Sequence, residues 1–316
     1  MKILFYDCFA GISGDMNLAA MIGLGVDPEH LRSELSKLGL DHEFELQVAT
    51  DARHGIVGVR VDVVLKHEAA GHDHGHAAGH EHVHDHHHGD HGHTHGHTHE
   101  HEHEHSHKHE HGHTHGHGHE HGQAHQGHHH EHGPNRNLAN IEAIIQGSAL
   151  DEAIKATSLR IFRKVAEAEA RVHGKTVDEV HFHEVGATDS IVDIVGAAIC
   201  FHQLGVDAVW ASPVELGGGF VHCAHGCIPV PAPATVEILQ GIPTTRGAVK
   251  QETATPTGAA ILATLADTFT AAPAMVTQKT AYGIGHRDMD IPNLLRVHLA
   301  VDLAGYRMGS LNEKTA

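Results

Sequence analysis

The chain is short of positive charge and of cysteine, and it has no long apolar run. Lysine and arginine number 21 against 40 Asp and Glu, a formal net charge of −19 with histidine neutral. That balance argues against nucleic acid and against anionic membrane surfaces, which both select basic patches. No apolar run approaches the ~20 residues that a bilayer span needs. The N-terminal Met1-Lys2-Ile3-Leu4-Phe5-Tyr6-Asp7 meets an acid too early for a signal peptide and reads as a first strand. Four cysteines (Cys8, Cys200, Cys223, Cys227) are too few and too scattered for a disulfide framework. These absences predict a cytoplasmic protein with no membrane and no nucleic-acid partner.

Histidine, by contrast, is abundant. Residues 67–132 hold 31 of the chain's 42 histidines, and much of the stretch alternates. His93, His95, His97, His99, His101, His103, His105, His107, His109, His111, His113, His115, His117 and His119 fall at every second position. The spacers are mostly Gly, Glu, Thr, Asp and Ala, too little apolar surface to offset the entropy of ordering, so disorder without metal is predicted. Neutral imidazole suits nickel, copper and zinc, whereas magnesium and calcium prefer oxygen. An expression tag or a neutral linker is a poor description, because the tract is internal and carries 11 carboxylates against one lysine. Its acidity draws divalent cations at neutral pH, and protons compete for the rings in acid. A flexible chain of this length spans roughly 45 Å, enough to carry metal over much of a domain. That describes a delivery device or a store.

The remaining ~250 residues are enough for a real hydrophobic core. The expected organisation is a first part of the folded domain (1–66), the insertion (67–132), the remainder of the domain (133–303) and a short tail (304–316). The expected fold class is α/β, with α+β as the alternative: a mixed sheet with flanking helices, in which helices outnumber strands.

Lys2–Tyr6 fits a buried strand. Asp7 to Asp15 is a glycine-containing loop, and Met16–Leu24 is a helix closed by Gly25. A strand, a Gly/Ser loop and a helix N-terminus make a place for an anion or a metal–phosphate, with Gly11, Ser13 and Gly14 in the turn. Asp15 either binds a cation or caps the helix, and a plain tight turn is the simpler alternative. Pro28–Leu38 reads as a second helix. Phe44–Thr50 and Ile56–Leu65 alternate as the strands of a hairpin, and the tract follows as an insertion at the domain's edge. Leu138–Gln146 and Ala153–Val172 resume as amphipathic helices.

The densest chemistry outside the tract is His181-Phe182-His183-Glu184, with Asp189 and Asp193 following. If 181–183 is extended, both imidazoles share one side, and the two Asp share a face of a helix starting near Thr188. With Asp7 and Asp15 they are candidate ligands of a mixed N/O metal site. His-Glu surface pairs and helix caps are the bland alternative. Ala208–Val214 and Phe220–Cys223 flank three glycines as a strand–turn–strand. Cys223-Ala224-His225-Gly226-Cys227 has only three soft ligands and no second half, so it reads as a pocket-lining loop rather than a closed zinc site. A proline-rich segment leads to a helix at Thr235–Gln240. Thr255, Pro256, Thr257 and Gly258 open the helix Ala259–Leu265, either as an anion site or as a plain N-cap. Tyr282 to Asp288 reads as a polar glycine loop in which Arg287 could clamp an acidic ligand, and Leu294–Leu299 as a closing strand.

Taken together, these motifs resemble the nickel-insertion proteins of nickel-pincer cofactor biosynthesis, the LarC family. The resemblance rests on Asp7 to Met16, His181 to Gly186 with Asp189-Ser190, Cys223 with His225-Gly226, Pro229 to Thr235, Thr255 to Gly258, and the internal histidine-rich insertion. It implies insertion of Ni²⁺ into pyridinium-3,5-bisthiocarboxylic acid mononucleotide, with formation of a nickel–carbon bond, for use by certain racemases and epimerases. It also implies dependence on CTP and on Mn²⁺ or Mg²⁺. The phosphorylated precursor would use Gly11, Ser13, Gly14, Cys223, His225, Thr255, Thr257 and Gly258. His183, Glu184 and Asp189 are candidates to accept the displaced ring proton. The family's full-length form continues into a C-terminal domain that the resemblance associates with CTP; either a separate chain carries that domain and is a partner, or this form lacks it. The recipient racemase or epimerase is another, and a homo-oligomer is compatible with the sequence. The alternative function is a nickel or zinc metallochaperone or store with no catalysis of its own. A weaker third is a metal-dependent phosphohydrolase using Asp7, Asp15, His181, His183 and Asp189.

Overall fold

A computed structural model of the chain describes residues 1–66, 136–180, 182, 186–223 and 226–303, all within one unit. The first strand, β1 (Lys2–Asp7), is buried on both faces. Leu4 and Tyr6 enter the main core, while Ile3 and Phe5 join Ala300 in a smaller cluster on the other face. This two-sided burial is why the strand is a continuous apolar run rather than an alternating one. Helix α1 (Gly14–Leu24) follows and stops at Gly25, whose φ of 116° is left-handed. Asp27 caps α2 (Pro28–Ser36). The hairpin β2 (Phe44–Arg53) and β3 (Ile56–Leu65) closes through His54-Gly55. Both turn residues have positive φ, 49° and 80°, as a type I′ turn requires.

After the tract come α3 (Leu138–Gly147), α4 (Glu152–His173), a single 3₁₀ turn at Val177–Glu179 and α5 (Thr188–Leu204). The rest of the chain supplies β4 (Ala208–Ala211), β5 (Val214–Glu215), β6 (Phe220–Cys223), β7 (Gly226–Pro229) and α6 (Pro233–Ile238). It ends with β8 (Thr244–Thr245), α7 (Pro256–Leu265), β9 (Thr268–Phe269), β10 (Met275–Ile284) and β11 (Leu294–Asp302).

Seven strands form one mixed sheet in the order β2-β3-β10-β11-β1-β4-β9. β1, β4 and β9 are parallel neighbours, β11 runs antiparallel between β1 and β10, and β3 lies parallel to β10. The expected mixed sheet with flanking helices is therefore present. Helix α1 lies over β3, β10 and β11 and is covered in turn by α5, against which α4 packs. With protein on both sides, α1 buries nearly its whole circumference, including Met16, Leu18, Met21 and Leu24. Burying each such side chain contributes about 1.5–3 kcal/mol. Gly283 lets β10 approach α1, since a Cβ there would stand under 3.0 Å from the Met16 carbonyl.

Four expectations need correction. Among the described residues strands outnumber helices, eleven to seven, because several strands of two to four residues carry no periodic signal. Ala208–Val214 and Phe220–Cys223 are not one strand–turn–strand: β4 joins the large sheet beside β1, and β6 folds back on β7. The glycines between them run beside Gln251 and Glu252 instead. Tyr282–Ile284, read as loop, are the end of β10, where Gly283 interrupts the pattern that would mark a strand. The helix expected at Thr235 starts at Pro233, the first-turn position that proline favours. Among the described residues no helix is long and apolar enough to cross a membrane.

Candidate functional site

Loop 8–13 leaves the carboxyl end of β1 and is fixed through its backbone. Cys8 N–H donates to Ser212 Oγ at 2.9 Å, and the Cys8 carbonyl accepts from Gly11 at 3.0 Å and Glu215 at 3.1 Å. Ile12 donates to the Thr253 carbonyl at 3.0 Å and accepts from Thr255 at 3.1 Å. Gly11 has φ 79° and lies against Thr253, leaving no room for a Cβ. Gly258, in the first turn of α7, is pressed against the Ile12 carbonyl and Ser13 in the same way. The two stretches that sequence alone proposed separately for anion binding, Gly11/Ser13/Gly14 and Thr255/Thr257/Gly258, thus form one place. Thr255 is also the N-cap, accepting from Gly258 N–H at 3.2 Å with Pro256 in the first turn.

Helix α5 completes the group. A Cβ on Gly14 would stand under 3.0 Å from the Asp193 carboxylate, so the first turn of α1 abuts the second turn of α5. The N-terminal ends of α1, α5 and α7 therefore gather around Ser13 and Gly14, a favourable field for negative charge. Against that field stand three acids. Asp193 Oδ1 is buried and has no hydrogen-bond partner among the described residues. Burial, then the charges of Asp15 and Asp189, push the Asp193 carboxyl well above the usual carboxylate range. Asp189 and Asp193 do share a face, as their spacing implied.

Asp15 is shifted the other way. Burial alone would raise its pKa, but hydrogen bonds from His286 and Ser13 outweigh it and hold the carboxyl below its ordinary value. His286 Nε2 lies 2.9 Å from Asp15 Oδ2, and its Nδ1 lies 3.3 Å from Asp62 Oδ1. The hydrogen bond to Asp15, opposed by burial, raises the imidazole's pKa. Asp62 is held in turn by Arg60 at 3.0 Å, which also reaches Asp51 at 3.5 Å. Carboxylates pushed apart in pKa beside a bridging imidazole are the raw material of acid–base chemistry. Sequence reasoning missed Asp62 and His286. Asp62 looked like one polar position of an alternating strand, and His286 stood beside the more conspicuous Arg287. That arginine is occupied: it donates to the Glu252 carbonyl at 2.8 Å and its carboxylate at 3.1 Å.

Asp7 is drawn into a pair with Arg296 of β11, whose Nε donates to Asp7 Oδ2 at 2.9 Å. The guanidinium of Arg296 also lies 5.2 Å from the ring centroid of Phe9. Cys8 is fully buried, and burial and the neighbouring Asp7 push its thiol upward, so it packs as a thiol. Cys223 closes β6 and Cys227 is exposed on β7. His181, His183, Glu184, His225, the tract histidines His93 to His119 and the tail 304–316 lie outside the described residues. Among the described residues, no group of three or more His, Cys, Asp or Glu is arranged to hold a metal ion.

The profile of the family described as nickel insertion protein matches residues 4–315. A putative nickel insertion protein of Maridesulfovibrio salexigens is 60% identical over 300 residues, 95% of this chain and 63% of the relative. The pyridinium-3,5-bisthiocarboxylic acid mononucleotide nickel insertion proteins of Clostridium acetobutylicum and Clostridium kluyveri are 54% and 49% identical. Each match covers 95% of this chain and 64% or 62% of the relative. The chain thus spans a little under two thirds of the length of these curated relatives. No solved structure matches the chain at a significant level.

Proposed function

The chain belongs to the nickel insertion protein family, and from that premise we propose that it inserts Ni²⁺ into pyridinium-3,5-bisthiocarboxylic acid mononucleotide. The observation that carries this reading is the meeting of three helix N-termini beside a tight acidic group. The phosphate of the mononucleotide would lie beside Ser13, Gly14, Thr257 and Gly258, where the dipoles of the gathered helices favour an anion. Cys223 and His225 are proposed as further contacts to this ligand. Nickel, the metal being transferred, would approach from Asp189 and Asp193 with His181 and His183, while the substrate's two thiocarboxylates supply soft donors.

The step replaces a ring C–H by Ni–C: nickel bonds to the ring carbon, the C–H bond breaks, and the proton passes to a base. His183, Glu184 and Asp189 are the proposed acceptors. Asp15 and Asp7 are proposed as cation ligands only secondarily, because His286 and Arg296 already engage them. The histidines of 67–132 would bind nickel and hold a supply of it on the chain. A requirement for CTP with Mn²⁺ or Mg²⁺ is assigned to the portion of the relatives that the chain does not span, and a racemase or epimerase would receive the product.

The composition of 67–132 favours a second reading, a nickel or zinc store or metallochaperone without catalysis. One experiment separates them. Purified chain, Ni²⁺, CTP, Mn²⁺ and the precursor are mixed, with and without the remaining C-terminal portion of a relative, and product is followed by absorbance and mass. Product in either arm supports insertion. Tight nickel binding with no product in both arms leaves the store.

A further inference from the structure

Glu215 is a buried acid that the group around Gly14 does not use. It ends β5 and is only 5% exposed. Its carboxylate accepts three hydrogen bonds, and the donors are amides and a hydroxyl rather than a cation. Oε1 accepts from the backbone N–H groups of Gly217 and Ala248, each at 3.1 Å. Oε2 accepts from the hydroxyl of Thr245. The main chain of Glu215 is engaged as well. Its N–H donates to the Cys8 carbonyl at 3.1 Å, and its carbonyl accepts from the Thr253 hydroxyl at 2.7 Å. One residue thus touches the start of loop 8–13 and both ends of the segment 245–253. Thr253 accepts from Ile12 in turn, and Thr255 donates to the Ile12 carbonyl.

β5 and β8 pair over two residues each, Val214 with Thr244 and Glu215 with Thr245. So short a ladder does little to offset the entropy of ordering the loop from Thr245 to Thr253. A buried carboxylate supplies what the ladder lacks. Left short of donors it is costly, and hydrogen bonds to it are stronger than neutral ones. Glu215 therefore stays inside only while 245–248 wraps around it. The same wrapping presses Gly217, with φ 70°, against the Gln251 carbonyl, where a Cβ has no space. Gly247 also donates to the Gly217 carbonyl at 3.2 Å. We propose that Glu215 is a positioning residue: by tying 245–253 to loop 8–13 it holds Ser13 and Gly14 against Thr257 and Gly258 and sets the fit of the precursor's phosphate there. This rests on the phosphate placement proposed above.

The test compares the full chain with Glu215→Gln and Glu215→Ala. Glutamine can keep every contact: its oxygen accepts from Gly217 and Ala248, and its amide donates to Thr245, whose hydroxyl reverses. Calorimetry without nickel measures binding of two probes, the precursor mononucleotide and the same compound lacking its phosphate. The parent is expected to prefer the mononucleotide by about tenfold or more, the effect of one or two hydrogen bonds to a charged group. Glu215→Gln should keep that preference, and Glu215→Ala should lose most of it while binding the dephosphorylated probe nearly as before. Hydrogen exchange at 9–13 and 253–258, without ligand, should quicken on the order of tenfold in Glu215→Ala and little in Glu215→Gln. If the alanine variant does not fold, Thr245→Val removes one donor and should show the same losses in smaller measure. Unchanged exchange in the alanine variant, or a phosphate preference that survives in it, overturns the role of Glu215 and leaves the phosphate placement standing. Loss of the preference in Glu215→Gln as well would show that charge rather than position matters, and also overturns it. A parent chain with no preference for the phosphate sinks the placement itself, and the proposal with it.

Discussion

His286 Nε2 lies 2.9 Å from Asp15 Oδ2 and joins the loop after β10 to the first turn of α1. The hydrogen bond raises the imidazole's pKa and lowers the carboxyl's, so each group favours the charged form of the other.

The first prediction concerns pH. His286 has a folded pKa above its unfolded value of about 6.5, so its stabilisation is fully present below that pH and fades as pH rises through the folded value. The Asp15 contribution is present above about pH 3.9 and fades as pH falls through its lowered folded value. His286→Gln should therefore destabilise chelator-treated protein by about 1 kcal/mol at pH 6, a modest figure because the ring is partly exposed. The gap should shrink by pH 9. Urea unfolding of both chains at the two pH values measures it, and a gap that grows with pH would refute the assignment. The tract histidines are common to both chains and cancel.

Asp193 predicts the opposite trend. Its carboxyl holds a proton in the fold at pH values where the unfolded chain has released it, so its presence costs more stability as pH rises above about 3.9. Asp193→Asn removes the penalty. Relative to the parent chain, metal-free Asp193→Asn should gain thermal stability between pH 5 and pH 8. Equal melting differences at both pH values would mean that Asp193 is ionised without cost.

Steric contact supplies a third test. Gly14→Ala places a methyl group against the Asp193 carboxylate and should cost about 1–3 kcal/mol, the usual range for overpacking. The same change in an Asp193→Ala background should cost clearly less, because the two positions share one space. Denaturation of the four chains gives the coupling, and additivity would show that Gly14 does not pack on Asp193.

Removing residues 67–132 should lower the nickel bound per chain several-fold by calorimetry. If the chain is the inserting enzyme, product should persist at high nickel and disappear when nickel is scarce. Loss of product at all nickel concentrations, with the remainder still folded by circular dichroism, would favour the store.

Much of this arrangement is legible in the residues themselves. Local chemistry marks β1, α1, the hairpin and the long helices: Gly25 stops α1, Asp27 caps α2, and Thr255-Pro256 opens α7. The spacing of Asp189 and Asp193 already places them on one helical face. Strand β10 escaped notice because Gly283, required for contact with α1, disguises a strand as a loop. The pairing of Asp62 with His286 joins residues far apart in the chain. Such pairings depend on sheet order, here β3 beside β10, which no local pattern encodes.

The sheet order also sets a sequence of events. Asp15 and Asp62 precede residues 67–132, whereas Asp189, Asp193 and His286 follow them. During synthesis the N-terminal segments emerge first, at about 5–20 residues per second. β1 lies between β11, the last strand among the described residues, and β4, so the sheet closes only when the residues up to Asp302 are out. Residues 67–132 are therefore synthesised roughly several seconds before Asp189, Asp193 and His286 are added. On the proposed reading, nickel capture by the tract would precede completion of the fold.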